Sequence, residues 1–122
     1  MPTAEKLDEL RMSWRPTPEK VDRVVRTAIE VVRPSRVFIF GSWARGEAAT
    51  ARDLDLAVLV PDERSDEIGE LHRRLDSKLE VVRMSVDLIL VSEGYFAQFG
   101  ASINSVYHKI ANQGKLVYEQ RH

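Results

Sequence analysis

Two carboxylates one residue apart, Asp53 and Asp55, stand at the head of the apolar run Leu56-Ala57-Val58-Leu59-Val60. An apolar run of this length bounded by Pro61 reads as a buried strand. Successive strand side chains alternate faces, so both acids point the same way, roughly 7 Å apart along the chain. Like charges on one face of a buried strand repel each other and lose hydration. A fold tolerates them at low cost only when a cation sits between them. Upstream, Val37-Phe38-Ile39-Phe40 reads as a second apolar strand, followed by a Gly41-Ser42 turn and a ten-residue connector to Asp53. The whole stretch reads as a phosphate-cradling turn beside a divalent-metal site.

Periodicity places the other elements around this stretch. Residues 4–12 are expected to form a short helix, interrupted by Trp14-Arg15-Pro16. Thr17 as N-cap and Pro18 in the first helical position open the clearest helix, in which Val21, Val24, Val25, Ala28, Ile29 and Val32 recur at helical spacing. Pro34 ends it. Strand one spans about 36–40, Trp43-Ala44-Arg45-Gly46 forms a short helical turn, and residues 47–52 are a polar connector into strand two, 53–60. A helix over about 65–79 turns Ile68, Leu71, Leu75 and Leu79 inward, and strand three covers 86–91. Ser92 caps a helix through Tyr95, Phe96 and Phe99 that breaks near Gly100. A last helix, about 103–112, ends at Gly114, and residues 115–118 form a short edge strand. This α-β-α-β-α-β-α order predicts an α/β (α+β) fold, a small mixed sheet of three to four strands flanked by helices. A single domain over 1–122 is expected, with residues 1–16 as an arm or short helix and the core at about 17–119.

Asp87 is the lone charge in the aliphatic run Val86-Asp87-Leu88-Ile89-Leu90-Val91. A carboxylate buried alone costs several kcal/mol or shifts its pKa upward. With strand three beside strand two, Asp87 joins Asp53 and Asp55 in one cluster. Three carboxylates without histidine or cysteine make a hard, all-oxygen site that selects Mg²⁺ or Mn²⁺. Two such ions about 4 Å apart clamp a phosphoryl group during in-line displacement. The bland alternative has Asp53 capping a turn, Asp55 paired with an arginine and Asp87 at a solvated edge. Gly41 lets a phosphate approach the backbone, and Ser42 offers a hydroxyl and an amide at a helix N-terminus. No Gly-Lys-Ser/Thr follows, so this is not a P-loop. Arg45 serves either as a phosphate contact or as a structural ion pair, and Trp43 is read as packing.

Charge and composition exclude several classes. With 18 basic and 19 acidic residues the net charge is −1, which argues against a dominant nucleic-acid-binding surface. The absence of cysteine rules out disulfides and thiolate metal sites. No run is long and apolar enough for a membrane span, and the charged start Met1-Pro2-Thr3-Ala4-Glu5-Lys6 is unlike a signal peptide, so a cytoplasmic location is expected. His72 reads as solvated and His108 as equally unremarkable; the acidic run Asp62, Glu63, Asp66, Glu67, Glu70 reads as a solvated helix start, with contact to a basic partner as the alternative. Tyr95, Phe96, Phe99 and Tyr107 are read chiefly as core, with some available as a partner face.

The combination of Gly41-Ser42, ten residues, Asp53-x-Asp55 and then Asp87 at the start of a later apolar strand resembles the signature of the polymerase-beta-type nucleotidyltransferase superfamily. The fuller text, Phe40-Gly41-Ser42-Trp43-Ala44-Arg45-Gly46-Glu47-Ala48 and then Asp53-Leu54-Asp55-Leu56, is similar to the minimal nucleotidyltransferases (MNT proteins), as is the close Gly114 to Glu119. The resemblance covers about 21–119. Arg52 departs from it, standing where the family commonly has serine. The resemblance implies a nucleotidyltransferase fold. Asp53 and Asp55 would bind two Mg²⁺ ions (Mn²⁺ as an alternative) and the triphosphate, and Asp87 would complete the metal site as or beside the general base. Gly41 and Ser42, with help from Arg45, would hold the phosphates of ATP. The transferred group would be AMP. Many MNT proteins are antitoxins of HEPN-domain ribonuclease toxins, and some adenylylate a tyrosine on the toxin.

Size points to a partner separately. One small core around one site leaves no acceptor domain, so the acceptor is expected to be another protein, or a second copy closes the cleft; a homo- or hetero-oligomer follows. The chain is not the toxin itself, because no histidine has an arginine at the Arg-x4–6-His spacing. Two alternatives stand beside an adenylylating antitoxin: a non-catalytic antitoxin that masks the HEPN toxin by contact, and a small-molecule nucleotidyltransferase of the aminoglycoside-modifying sort.

Overall fold

The first helix that the structure describes begins where the Thr17-Pro18 pair indicates. The protein is seen here as a computed structural model that describes residues 3, 4 and 14–121. The helix expected over 4–12 lies outside the described residues from residue 5 onward. Helix α1 is Pro18–Val32, and the Thr17 side chain accepts from the Lys20 N–H at 3.2 Å. Arg33 closes it in the left-handed region at φ 53°, its N–H donating to the Ile29 carbonyl at 2.9 Å. Strand β1 (Arg36–Phe40) leads into a one-turn helix α2 (Gly41–Ala44), and after the connector comes β2 (Asp53–Val60). A 3₁₀ segment over Asp62–Glu67 precedes α3 (Ile68–Leu79), a further 3₁₀ turn over Glu80–Val82 leads to β3 (Ser85–Ser92), and α4 (Glu93–Gly100), α5 (Val106–Gln113) and β4 (Lys115–Glu119) complete the chain.

The four strands form one mixed sheet in the order β3-β2-β1-β4. β1 runs antiparallel to both β2 and β4, and β2 and β3 run parallel. A parallel neighbour needs a crossover, which the α3 region supplies. Alternation along β2 divides its side chains between two cores. Leu54, Leu56, Val58 and Val60 join Val37 and Ile39 under α1 and α3, where Val24, Ala28, Val32, Leu71 and Leu75 meet them. Ala57 and Leu59 join Phe38, Val91, Phe96 and Ile110 under α4 and α5. Each fully buried aliphatic side chain here contributes about 1.5–3 kcal/mol. Among the described residues no helix is long and apolar enough to cross a membrane.

Some local expectations need correction. Residues 62–67 form a 3₁₀ helix with Arg64 off helical geometry, rather than the first turns of an α-helix. Helix α5 starts three residues later than its apolar pattern suggests. Ser105 caps it by accepting from the His108 N–H at 3.1 Å, while its hydroxyl donates to the Phe99 carbonyl at 2.6 Å. Gly114 does end α5, but in an extended conformation. Its missing side chain matters for a different reason: a Cβ there would lie 2.5 Å from the Ile110 carbonyl oxygen. His72 is half-buried rather than solvated, with Nε2 3.3 Å from the Leu88 carbonyl on the edge strand β3. Asp62 is likewise not merely solvated, since it accepts from the Gly94 N–H at 2.8 Å in the first turn of α4.

Candidate active site

Odd-numbered residues of β2 face the smaller core, so Asp53 and Asp55 lie on the same face as Ala57 and Leu59. They are the first and third residues of the strand, ahead of the buried Ala57 and Leu59. The parallel register sets Asp53 opposite Ser85 and Asp55 opposite Asp87. Parallel in-register neighbours share a face and stand about 4.8 Å apart, so Asp55 and Asp87 are side by side. On the other flank, Phe40 at the end of β1 is the register partner of Asp55, which brings the next residue, Gly41, against the same carboxylate. Gly41 adopts φ +74°, and a Cβ built on it would lie 2.0 Å from Asp55 Oδ2. Both the left-handed backbone and the lack of space demand glycine at this position.

Crowding shows in the protonation of Asp55. Its carboxyl is pushed up from 3.8 to about 6, first by burial, then by the charge of Asp87 and a hydrogen bond with it, and then by the charge of Asp53; Arg45 opposes the rise. The Asp55 carboxyl therefore keeps a proton more readily than an isolated aspartate does. The cost of the cluster falls mainly on Asp55, which is half-buried, while Asp53 and Asp87 are exposed. Asp87 is not the buried lone charge that its aliphatic neighbours suggest, because β3 is an edge strand.

The three aspartates share a face and a neighbourhood, but they do not close into a cage. Among the described residues, no three His, Cys, Asp or Glu side chains converge on a point that could hold a metal ion. The donor chemistry nonetheless fits a hard divalent cation: the acids are all carboxylates, and Arg45 offsets only part of the crowding at Asp55, which a cation would relieve.

The Gly41-Ser42 turn becomes the first turn of α2, and the Gly41 carbonyl accepts from the Arg45 N–H at 3.2 Å. Trp43 packs against the larger core, as expected. Arg45 takes the ion-pair role, with Nη2 3.0 Å from Glu47 Oε2. Glu47 stands in the sequence only as part of the polar connector and the motif text; the Arg-x-Glu spacing between two site motifs is the signal for its contact with Arg45.

A glycine-led turn at the end of β1 thus lies against a carboxylate of β2, which has a second carboxylate beside it on β3. The family described as Polymerase beta, Nucleotidyltransferase matches residues 22–122, and the chain belongs to that family. Among solved structures, a candidate nucleotidyltransferase from Sulfolobus solfataricus is similar at 21% identity, over 84% of this chain and 86% of that one, with a TM-score of 0.49. A toxin–antitoxin structure with AMP-PNP is similar at 26% identity, over 84% of this chain and 73% of that one, with a TM-score of 0.44. A comparison with curated proteins gives no match.

Proposed function

We propose that the protein is a Mg²⁺-dependent nucleotidyltransferase that moves AMP from ATP to a protein hydroxyl, a tyrosine of a cognate HEPN-domain ribonuclease toxin, and so acts as a cytoplasmic antitoxin. The single observation that carries the reading is the register that sets Asp55 beside Asp87, with Gly41 pressed against Asp55. The text from Phe40 to Ala48 and from Asp53 to Leu56, similar to the minimal nucleotidyltransferases, supports the finer assignment.

In this reading Asp53, Asp55 and Asp87 hold the metal. A divalent cation bound there supplies charge neutralisation for the triphosphate and lowers the pKa of an incoming hydroxyl. The chain's own groups do the rest. Gly41 lets the outer phosphates approach the backbone, while Ser42 and Arg45 supply donors for their oxygens. The acceptor hydroxyl attacks the α-phosphorus and pyrophosphate leaves. Asp87, exposed at the sheet edge, receives the hydroxyl proton. In this reading the partner protein supplies the second wall of the cleft. An adenylyl group adds an anion and bulk beside the toxin's site, and both oppose an RNA phosphate.

Incubation with the HEPN-domain partner, Mg²⁺ and ATP labelled at the α-phosphate tests this directly. Label should pass to the partner, and Asp53→Asn should abolish the transfer. Toxin inhibition that survives both Asp53→Asn and Asp55→Asn without any label transfer would replace the enzyme with a masking antitoxin. Aminoglycoside resistance conferred by the gene would instead indicate a small-molecule acceptor.

A further inference from the structure

The connector between Ser42 and Asp53 is organised around Glu47. Its N–H donates to the Ser42 carbonyl at 3.0 Å, and its carbonyl accepts from the N–H groups of Thr50 (3.1 Å) and Ala51 (2.9 Å). The Thr50 hydroxyl donates to the same carbonyl at 3.3 Å. Ala51 is only 1% exposed, so the far end of this turn is anchored in the fold. Gly46, at φ +81°, allows the sharp reversal just before Glu47. Glu47 is therefore held by its backbone, and its side chain is free to hold something else.

What it holds is Arg45. Glu47 Oε2 accepts from both Nε (3.2 Å) and Nη2 (3.0 Å) of that guanidinium. Those two donors lie along one edge of the planar group, which leaves Nη1 and the second Nη2 hydrogen for another anion. The two side chains remain 53% and 49% exposed, so the pair does not bury the cation. Arg45 is also close enough for its charge to act on Asp55. An ion pair this exposed contributes little to stability. Its main consequence is that a long, flexible cation is ordered beside the Gly41-Ser42 turn before any ligand arrives, which lowers the entropy lost on binding.

We propose that Glu47 is a positioning residue for the nucleotide, holding Arg45 with its free edge available to the outer phosphates of a nucleoside triphosphate. The proposal rests on the nucleotidyl-transfer reading of the site. It opposes a second possibility with the reverse sign, in which Glu47 competes with phosphate for Arg45 and weakens binding.

Calorimetric titration with Mg²⁺ and AMP-PNP distinguishes them, using the wild type, Glu47→Gln, Arg45→Ala and the double variant. Glu47→Gln should weaken binding about three- to fivefold and Arg45→Ala about tenfold. The double variant should bind no more weakly than Arg45→Ala alone, because Glu47 acts only through Arg45. The Tm of Glu47→Gln should stay within ~2 °C of wild type, as an exposed pair predicts. Unchanged or tighter binding by Glu47→Gln, additive losses, or a large fall in Tm would overturn the positioning role. If the wild type binds no nucleotide, the nucleotidyl-transfer reading falls and this inference with it; if the wild type binds and only the Glu47 result fails, that reading stands.

Discussion

Asp55→Asn is expected to make the protein more stable at neutral pH while removing its function. In the folded chain the Asp55 carboxyl is raised from 3.8 to about 6, chiefly by burial and by Asp87. A rise of that size has a ceiling of ~3 kcal/mol. Asp55 is only half-buried, so solvent screening reduces the effect to about 1–2 kcal/mol. The folded state binds the proton more tightly than the unfolded state, so stability falls as pH rises from about 4 to about 6. Above that window the penalty is fully present; below it, the carboxyl is protonated in both states and the penalty vanishes. Asparagine has nearly the same shape, cannot ionise, and can donate to Asp87. Urea or thermal unfolding in chelator-containing buffer should therefore give Asp55→Asn an advantage of about 1–2 kcal/mol at pH 7.5, or ~4–8 °C in Tm. The advantage should shrink towards zero near pH 4. A variant less stable than wild type at pH 7.5, or a difference that does not change with pH, would refute the electrostatic reasoning.

Three further outcomes follow from particular contacts. Gly41→Ala must strain a backbone at φ +74° and displace the Asp55 carboxylate, so Tm should fall by an amount corresponding to about 1–3 kcal/mol and nucleotide binding should be lost with it. Glu93→Gln weakens the double contact to Arg36 (2.9 and 2.8 Å) and the hydrogen bond from Ser35 (2.7 Å), at a cost of about 1–2 kcal/mol at pH 7. Because Arg36 and Ser35 hold the Glu93 carboxyl below its ordinary range, that contribution is present above the unfolded-state pKa and disappears as pH falls through the folded-state value, which acid titration of both proteins would reveal. Ser105→Ala removes the cap of α5 and a bond to the Phe99 carbonyl, so unfolding should register a loss of about 1 kcal/mol while nucleotide binding stays unchanged.

Local chemistry made much of this fold readable. β2 begins at Asp53 and ends before Pro61, α1 begins at Pro18, and α4 is capped by Ser92, because each boundary is set by residues adjacent in sequence. The alternation that puts Asp53 and Asp55 on one face belongs to any strand. Long-range pairing was less legible. That β3 lies beside β2 could only be assumed from the sequence, its parallel direction was not read at all, and its place at the sheet edge, which leaves Asp87 exposed, depends on the order of all four strands. The 3₁₀ geometry of 62–67 and the late start of α5 follow from backbone and side-chain bonds that compete with helix periodicity. The roles of Glu47 and His72 were not legible because their partners, a fork of Arg45 and a carbonyl on β3, are visible only in three dimensions.

The central claim is that Asp53, Asp55 and Asp87 form the cation-binding half of a nucleotide site whose other half is the Gly41-Ser42 turn. Anomalous scattering from crystals grown with Mn²⁺ and AMP-PNP tests it most directly. The account predicts manganese within coordination distance of carboxylate oxygens from Asp55 and at least one of Asp53 and Asp87, about 2.0–2.3 Å, with the triphosphate lying against Gly41 and Ser42. Manganese bound away from these carboxylates, or a triphosphate seated elsewhere on the molecule, would contradict it.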